Sequence, residues 1–317
     1  MNEVKKILII GIAGGLAQMT ARLILTENPH WEIIGIDSRD VSTVIPLKNL
    51  TALSMKYSRG NFENLFRNNE FDAVYHLGRI SHSSNEQNVL AKRIDLSVMG
   101  TNRILDLCER THVKKVIILS TFHVYGAMPD NSIFLNEEAP LRASIRHPEL
   151  RDVVEMDQMC TSWMWKNQNS ISAVVLRPCN IVGTQIQNSM TKFLSGPLAI
   201  SPIDYNPFFQ FIHEFDMANI LYRSLDLPTG TYNVAGNDFI SLREALDVVN
   251  TKAVPFPMIL GSGLNKALKK LNINVPDYLL DYLKFSCLIS NSHLKKNLGD
   301  DFLRFNIKET LELIKLR

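Results

Sequence analysis

Short apolar blocks alternate with longer amphipathic stretches through the first 180 residues. Ile7-Leu8-Ile9-Ile10 is apolar at every position, so a strand at Lys6–Ile10 would be buried on both faces. Similar blocks predict strands at Trp31–Asp37, Ala73–His76, Lys115–Ser120 and Ala173–Arg177. Between them the apolar residues recur at helical spacing, which predicts helices at Leu16–Leu25, Ala91–Glu109 and Val153–Trp165. Strands and helices in strict alternation predict an α/β fold, a parallel sheet covered by helices on both faces.

The pattern changes after Arg177-Pro178. Gly, Pro and Asn become frequent through Pro207, then a strand is expected at Phe209–His213, a helix at Asp216–Leu225 and a strand at Thr231–Val234. The tail reads as mostly helical, broken by Pro255, Pro257 and Pro276. Residues 1–178 are therefore expected as the main domain and 179–317 as a smaller region, with 209–236 returning to the main sheet.

Composition narrows the function classes. The 317 residues are 45% hydrophobic and 21% charged, with a net charge of +2. That balance carries no basic footprint for nucleic acid, and Lys269-Lys270 and Lys295-Lys296 read as solvated helix faces. No apolar run approaches the ~18 residues of a membrane span. Met1 to Lys6 lead directly into the first strand, so no signal peptide is expected and the cytoplasm is the expected location. Cys108, Cys160, Cys179 and Cys287 lack ligand spacing and read as buried thiols of a reducing compartment. The eight histidines show no metal signature, so no metal is expected.

The chemistry begins at Gly11-Ile-Ala-Gly14-Gly15-Leu16-Ala17, between the first strand and its helix. Glycines let a backbone approach a pyrophosphate, and the N–H groups and positive dipole end of the helix then meet its charge. Asp37 ends the second strand, twenty residues after Ala17. A carboxylate there accepts from an adenosine ribose 2′-hydroxyl and repels a 2′-phosphate, which favours NAD over NADP. Arg39, two residues on, would partly offset that preference.

Five further motifs follow in order: Tyr75-His-Leu-Gly-Arg79, Val98-Met-Gly-Thr101, Ser120-Thr-Phe-His-Val-Tyr-Gly126, Leu176-Arg-Pro-Cys-Asn-Ile-Val-Gly183 and Phe211-Ile-His-Glu-Phe-Asp216, with Tyr232-Asn-Val-Ala-Gly236 after them. With the glycine turn, this series resembles the extended short-chain dehydrogenase/reductase family, the NAD-dependent sugar-nucleotide epimerases and dehydratases. The resemblance covers residues 5 to about 240. It implies a Rossmann-like doubly wound parallel sheet with a smaller C-terminal substrate domain. It also implies cofactor contacts at Gly11, Gly14, Gly15, Leu16, Ala17, Asp37, Leu77, Gly78, Arg79, Ser120 and Pro178. Asn180 and Arg79 are implied substrate contacts, Thr121 the catalytic Ser/Thr, and Asp216 a structural acid. Ala17 stands where the family usually has a third glycine. Arg79 replaces a small residue and could hold a pyrophosphate or carboxylate, or pair with Glu86.

The family's catalytic pair is Tyr-x-x-x-Lys on one helix, a spacing that puts both side chains on one face so that the ammonium lowers the tyrosine pKa. None of the eight tyrosines here has Lys four residues on. Matching Asp157 to the family's helix acid places Glu149 and Val153 at the pair; matching Glu155 places His147 and Arg151 there. The family's NxxGT asparagine is Ser97. His123 could serve as general acid/base or be a turn histidine, and Tyr125 reads as packing. The catalytic candidates are thus Thr121, His123, His147 and Glu149.

Two functions remain. One is an oxidoreductase or isomerase acting by reversible hydride transfer on a small molecule such as a nucleotide sugar. The other is a non-catalytic dinucleotide-binding sensor or scaffold. Trp163, Met164 and Trp165 read as core or a subunit contact, because the resemblance implies a homodimer built on this helix and that at 91–109. The apolar stretch Pro276–Ser290 reads as a tail helix over the substrate cleft, or as a partner surface.

Overall fold

The computed structural model describes residues 5–78, 98–184, 186, 188–258 and 276–316. Its strands are β1 (Lys6–Ile10), β2 (Glu32–Asp37), β3 (Leu50–Ser54), β4 (Ala73–His76), β5 (Lys115–Leu119), β6 (Ser172–Pro178), β7 (Asn180–Val182), β8 (Ala199–Pro202), β9 (Phe208–Phe209), β10 (Phe211–His213), β11 (Gly230–Val234), β12 (Ile240–Ser241) and β13 (Ala253–Phe256). A seven-stranded sheet runs in the order β11-β6-β5-β4-β1-β2-β3. The pairings from β6 through to β3 are parallel. The order reverses beside β1, the switch at which α/β sheets bind ligands.

Every residue of β4 and β5 is buried, which accounts for the apolar runs Ala73–Tyr75 and Val116–Leu119 within them. Helix α1 (Gly15–Glu27) follows β1 and buries Ala17, Ala21 and Ile24. Helices α2 (Arg59–Arg67), α3 (Gly100–Arg110) and α4 (Arg151–Asn167) supply Phe62, Ile104, Leu105, Cys108, Met156, Cys160 and Met164 to one core with Leu8, Val74, Val116 and Ile118. Two further elements were not expected. β3 is an edge strand with exposed positions, and α2 is a short helix that turns Phe62, Leu65 and Phe66 to the core and starts at its Ser58 cap, which accepts from the Asn61 N–H. Residues 91–97 of the expected helix at Ala91–Glu109 lie outside the described residues.

The chain forms two compact units. The first is Met1–Thr121, Arg151–Arg177 and Met217–Tyr232; the second is Phe122–Leu150, Pro178–Asp216 and Asn233–Arg317. Phe122–Leu150 joins the later residues because Leu135 exchanges backbone hydrogen bonds with Leu288 and Ser290. Within 209–236, β11 lies in the main sheet and Phe209–His213 does not. That segment instead splits at Gln210, whose side-chain amide pairs with both backbone groups of Ile289. β9 pairs with β12 and β10 with β7.

Candidate cofactor site and catalytic positions

The cofactor candidates gather in the first unit around the turn from β1 to α1. Gly11 has φ +97°, and a Cβ there would stand 2.7 Å from Gly78 N. Only glycine satisfies both constraints. Gly14 caps α1 with no side-chain hydrogen bond, and the helix has no acid in its first turn. The first intrahelical bond comes from Gln18, which leaves the N–H groups of Gly15, Leu16 and Ala17 as the helix's donor end. This is a cradle shaped for a diphosphate, and the residues present fit a dinucleotide.

Asp37 lies beside it, 2% exposed at the end of β2. It accepts from Ala13 N at 3.1 Å and is gripped by Arg39 through N, Nε and Nη2 at 2.8–3.0 Å. Burial raises its carboxyl pKa, but the Arg39 hydrogen bonds and charge outweigh that and hold it below the usual range. Tyr57 was missed by sequence reasoning. Its hydroxyl stands 3.5 Å from the Cβ position of Gly78, and burial, with Asp37 adding, raises its phenol pKa. It follows a polar edge strand, where no motif marks it. Leu77 and Gly78 follow β4; Arg79, Glu86 and Ser97 lie outside the described residues.

The end of the sheet in this unit is tied by an ion pair. Asp157 on α4 accepts from Arg177 Nε at 2.9 Å and Nη2 at 2.6 Å, with both side chains buried. Ser120 donates to the same carboxylate at 2.5 Å, so its hydroxyl is committed to this tie. Thr121 follows it and is buried. Val153, one turn before Asp157, is buried on α4. His76 places Nε2 2.7 Å from Thr101 Oγ1, and burial pushes its pKa down to about 4.

The other catalytic candidates belong to the second unit. His123 sits in a single 3₁₀ turn, its ring edge-on to Tyr278 and Tyr282 at 5.5 and 5.0 Å. His147 is bound through Nε2 to Asp281 at 2.8 Å, and its Nδ1 lies 3.4 Å from Glu149. The structure thus brings His147 and Glu149 together, with an acid from the tail that no sequence signal had singled out. Tyr125 donates to Asn233 Oδ1 at 2.7 Å, the structural role expected of it. Asn180 donates to the Gln210 carbonyl, and Pro178 ends β6. Among the described residues no group of three His, Cys, Asp or Glu side chains could hold a metal, and no helix is long and apolar enough to cross a membrane.

A glycine turn before a helix, a strand-end acid and a seven-stranded doubly wound sheet define a dinucleotide-binding α/β protein. The model of the NAD dependent epimerase/dehydratase family matches residues 7–235, and the chain belongs to that family. NAD is the cofactor of this family. An uncharacterized protein of Mycobacterium tuberculosis is 23% identical over 312 residues, 93% of this chain and 79% of its own length. Two solved structures share the fold. The dTDP-glucose 4,6-dehydratase of Bacillus anthracis, in complex with NAD, is 15% identical with a TM-score of 0.73, covering 99% of this chain and 96% of its own. The UDP-glucose 4-epimerase of Thermotoga maritima, with UDP-glucose, is 15% identical with a TM-score of 0.74, covering 98% and 97%.

Proposed function

We propose that this chain binds NAD at the Gly11–Ala17 turn, takes a nucleotide sugar, and turns over the family's ordinary substrates slowly or not at all. The observation that carries the cofactor assignment is the uncapped α1 N-terminus beside Asp37. In this reading the N–H groups of Gly15, Leu16 and Ala17 face the pyrophosphate, Leu77, Gly78 and Pro178 border the dinucleotide, and Asp37 reads the ribose. Bound NAD supplies a hydride acceptor. Thr121 would hold a substrate hydroxyl, with Asn180 and Arg79 on the rest of the substrate.

The proton relay is where the chain departs. The first register puts Glu149 and Val153 at the dyad positions, and an alkyl group at the second can neither lower a partner's pKa nor grip a ribose. One observation favours residual activity: Asp281 orients the His147 ring at 2.8 Å, the arrangement of a histidine in a general acid–base relay. We also take the protein to be a cytoplasmic homodimer. Four buried cysteines suit a reducing compartment, and α3 and α4 pack together with Trp165 exposed beside them.

Calorimetric titration with NAD tests the cofactor reading. Gly14 has φ −80° and ψ 139°, which any residue adopts; a Cβ there would press on Gly11 O at 3.2 Å, a contact relieved by a shift of a few tenths of an ångström. Gly14→Val is therefore expected to keep the fold, seen by circular dichroism, and to lose measurable NAD binding. A folded variant with wild-type affinity would show that the ligand does not use this turn.

A further inference from the structure

Tyr57 stands at the crevice where the sheet order reverses. It lies in the link between β3 and α2, directly before the Ser58 cap. Its ring meets Phe62 of α2 with centroids 5.6 Å apart. This is a hydrophobic staple across a helix start, and it fixes where the side chain leaves the loop. The hydroxyl end reaches the strand tips. It stands 3.5 Å from the Cβ position of Gly78, which follows β4, and the backbones of Gly11 after β1 and Ser38 after β2 act on its oxygen. Burial raises the phenol pKa most and Asp37 adds to it, so the group is a neutral hydroxyl at physiological pH. Gly14, at the phosphate turn, has Gly11 O and Arg39 Nη2 near its Cβ position instead.

We propose that Tyr57 is a built-in competitor for the adenosine end of the cofactor and must swing aside before NAD is held. The inference rests on the cofactor reading above. In that reading the pyrophosphate lies on the N–H groups of Gly15, Leu16 and Ala17, and the ribose on Asp37. A single methylene joins the ribose to the phosphate, so the adenosine runs over the tips of β1 and β2. The phenol stands on that ground, beside Gly11, Ser38 and Gly78. Ring and adenosine cannot share it. The affinity for NAD is therefore reduced by the fraction of molecules in which the ring is aside. The staple to Phe62 sets that fraction from the protein's side. The phosphate cradle takes no part in the contact, so a ligand without adenosine escapes the competition.

Calorimetric titration of NAD, AMP and inorganic pyrophosphate into the wild type, Tyr57→Phe and Tyr57→Ala tests this. Tyr57→Ala is expected to tighten NAD and AMP about tenfold or more, the gain for a site open in about a tenth of the molecules or fewer, and to leave pyrophosphate unchanged. Tyr57→Phe keeps the staple and loses the hydroxyl, so its affinities should fall between. NAD affinity in Tyr57→Ala that is within about twofold of wild type, or weaker, overturns the proposal, and a tyrosine that only staples α2 gives that result. Pyrophosphate tightening as much as NAD overturns it too, because the gain would not come from the adenosine end. Should Tyr57→Ala not fold, NAD affinity in Tyr57→Phe equal to or weaker than wild type overturns it equally. A wild type and a Tyr57→Ala that both fail to bind NAD defeat the cofactor reading, and this inference with it. Gly14-dependent NAD binding that ignores Tyr57 defeats only this inference.

Discussion

His213 is held in a setting that suits only its neutral form. Its ring stacks on Phe305 at 3.7 Å and on Phe215 at 5.4 Å, and its Nδ1 accepts from Phe215 N at 3.1 Å. A protonated ring would turn that acceptor into a donor facing a donor. Burial pushes the pKa down to about 4, with Glu309 opposing, from an ordinary 6.5. The unfolded chain therefore binds more protons than the native one between these values, and stability rises with pH there. Stability present above about pH 6.5 should be lost as the pH falls through about 4. His76, also lowered to about 4 by burial, adds to the same loss. His213→Asn keeps an acceptor near the Nδ1 position and cannot titrate. Its urea stability, followed across this range, should fall less steeply than the wild type's; an unchanged slope would contradict the assignment.

At the scale of elements, Asp157 joins three of them. It sits on α4, accepts from Nε and Nη2 of Arg177 on β6, and accepts from Ser120 just after β5. Removing one partner of a buried pair leaves the other charge without compensation, which costs roughly 3–5 kcal/mol. Asp157→Ala should lose about that much in denaturant unfolding, with Asp157→Asn losing less. A loss of only a few tenths of a kcal/mol would mean that the pair is not desolvated. The elements themselves were largely legible in the sequence. β1, β4 and β5 show as apolar blocks because both their faces are buried, and α1 shows because it follows a glycine turn. β3 was not legible, because an exposed edge strand carries little apolar signal, and α2 was not, because its apolar stripe is only Phe62, Leu65 and Phe66. The pairing of His147 with Asp281 was hidden for another reason: 134 residues separate them in sequence.

For the whole molecule, the proposed function keeps the family's cofactor turn and departs from its catalytic pair. The glycine turn was readable from a local motif, and the parallel sheet from the alternation of apolar blocks with amphipathic stretches. The interleaving of the two units was not readable, because Phe122–Leu150 is assigned by its backbone pairing with the tail. In the proposed reading the catalytic pair is replaced, by Glu149 and buried Val153 in one register or by His147 and Arg151 in the other. General acid–base catalysis is typically worth about 10²–10⁴ in rate, so that much is forgone unless another group supplies it. The most direct test incubates the NAD-loaded protein with UDP- and dTDP-sugars and follows epimerisation, dehydration and reduction by product analysis. The expected result is turnover slow or absent, with any residual rate removed by Thr121→Val, His123→Ala, His147→Ala or Glu149→Gln. Robust turnover that survives all four substitutions would contradict the account, because none of the residues assigned here would then carry the chemistry.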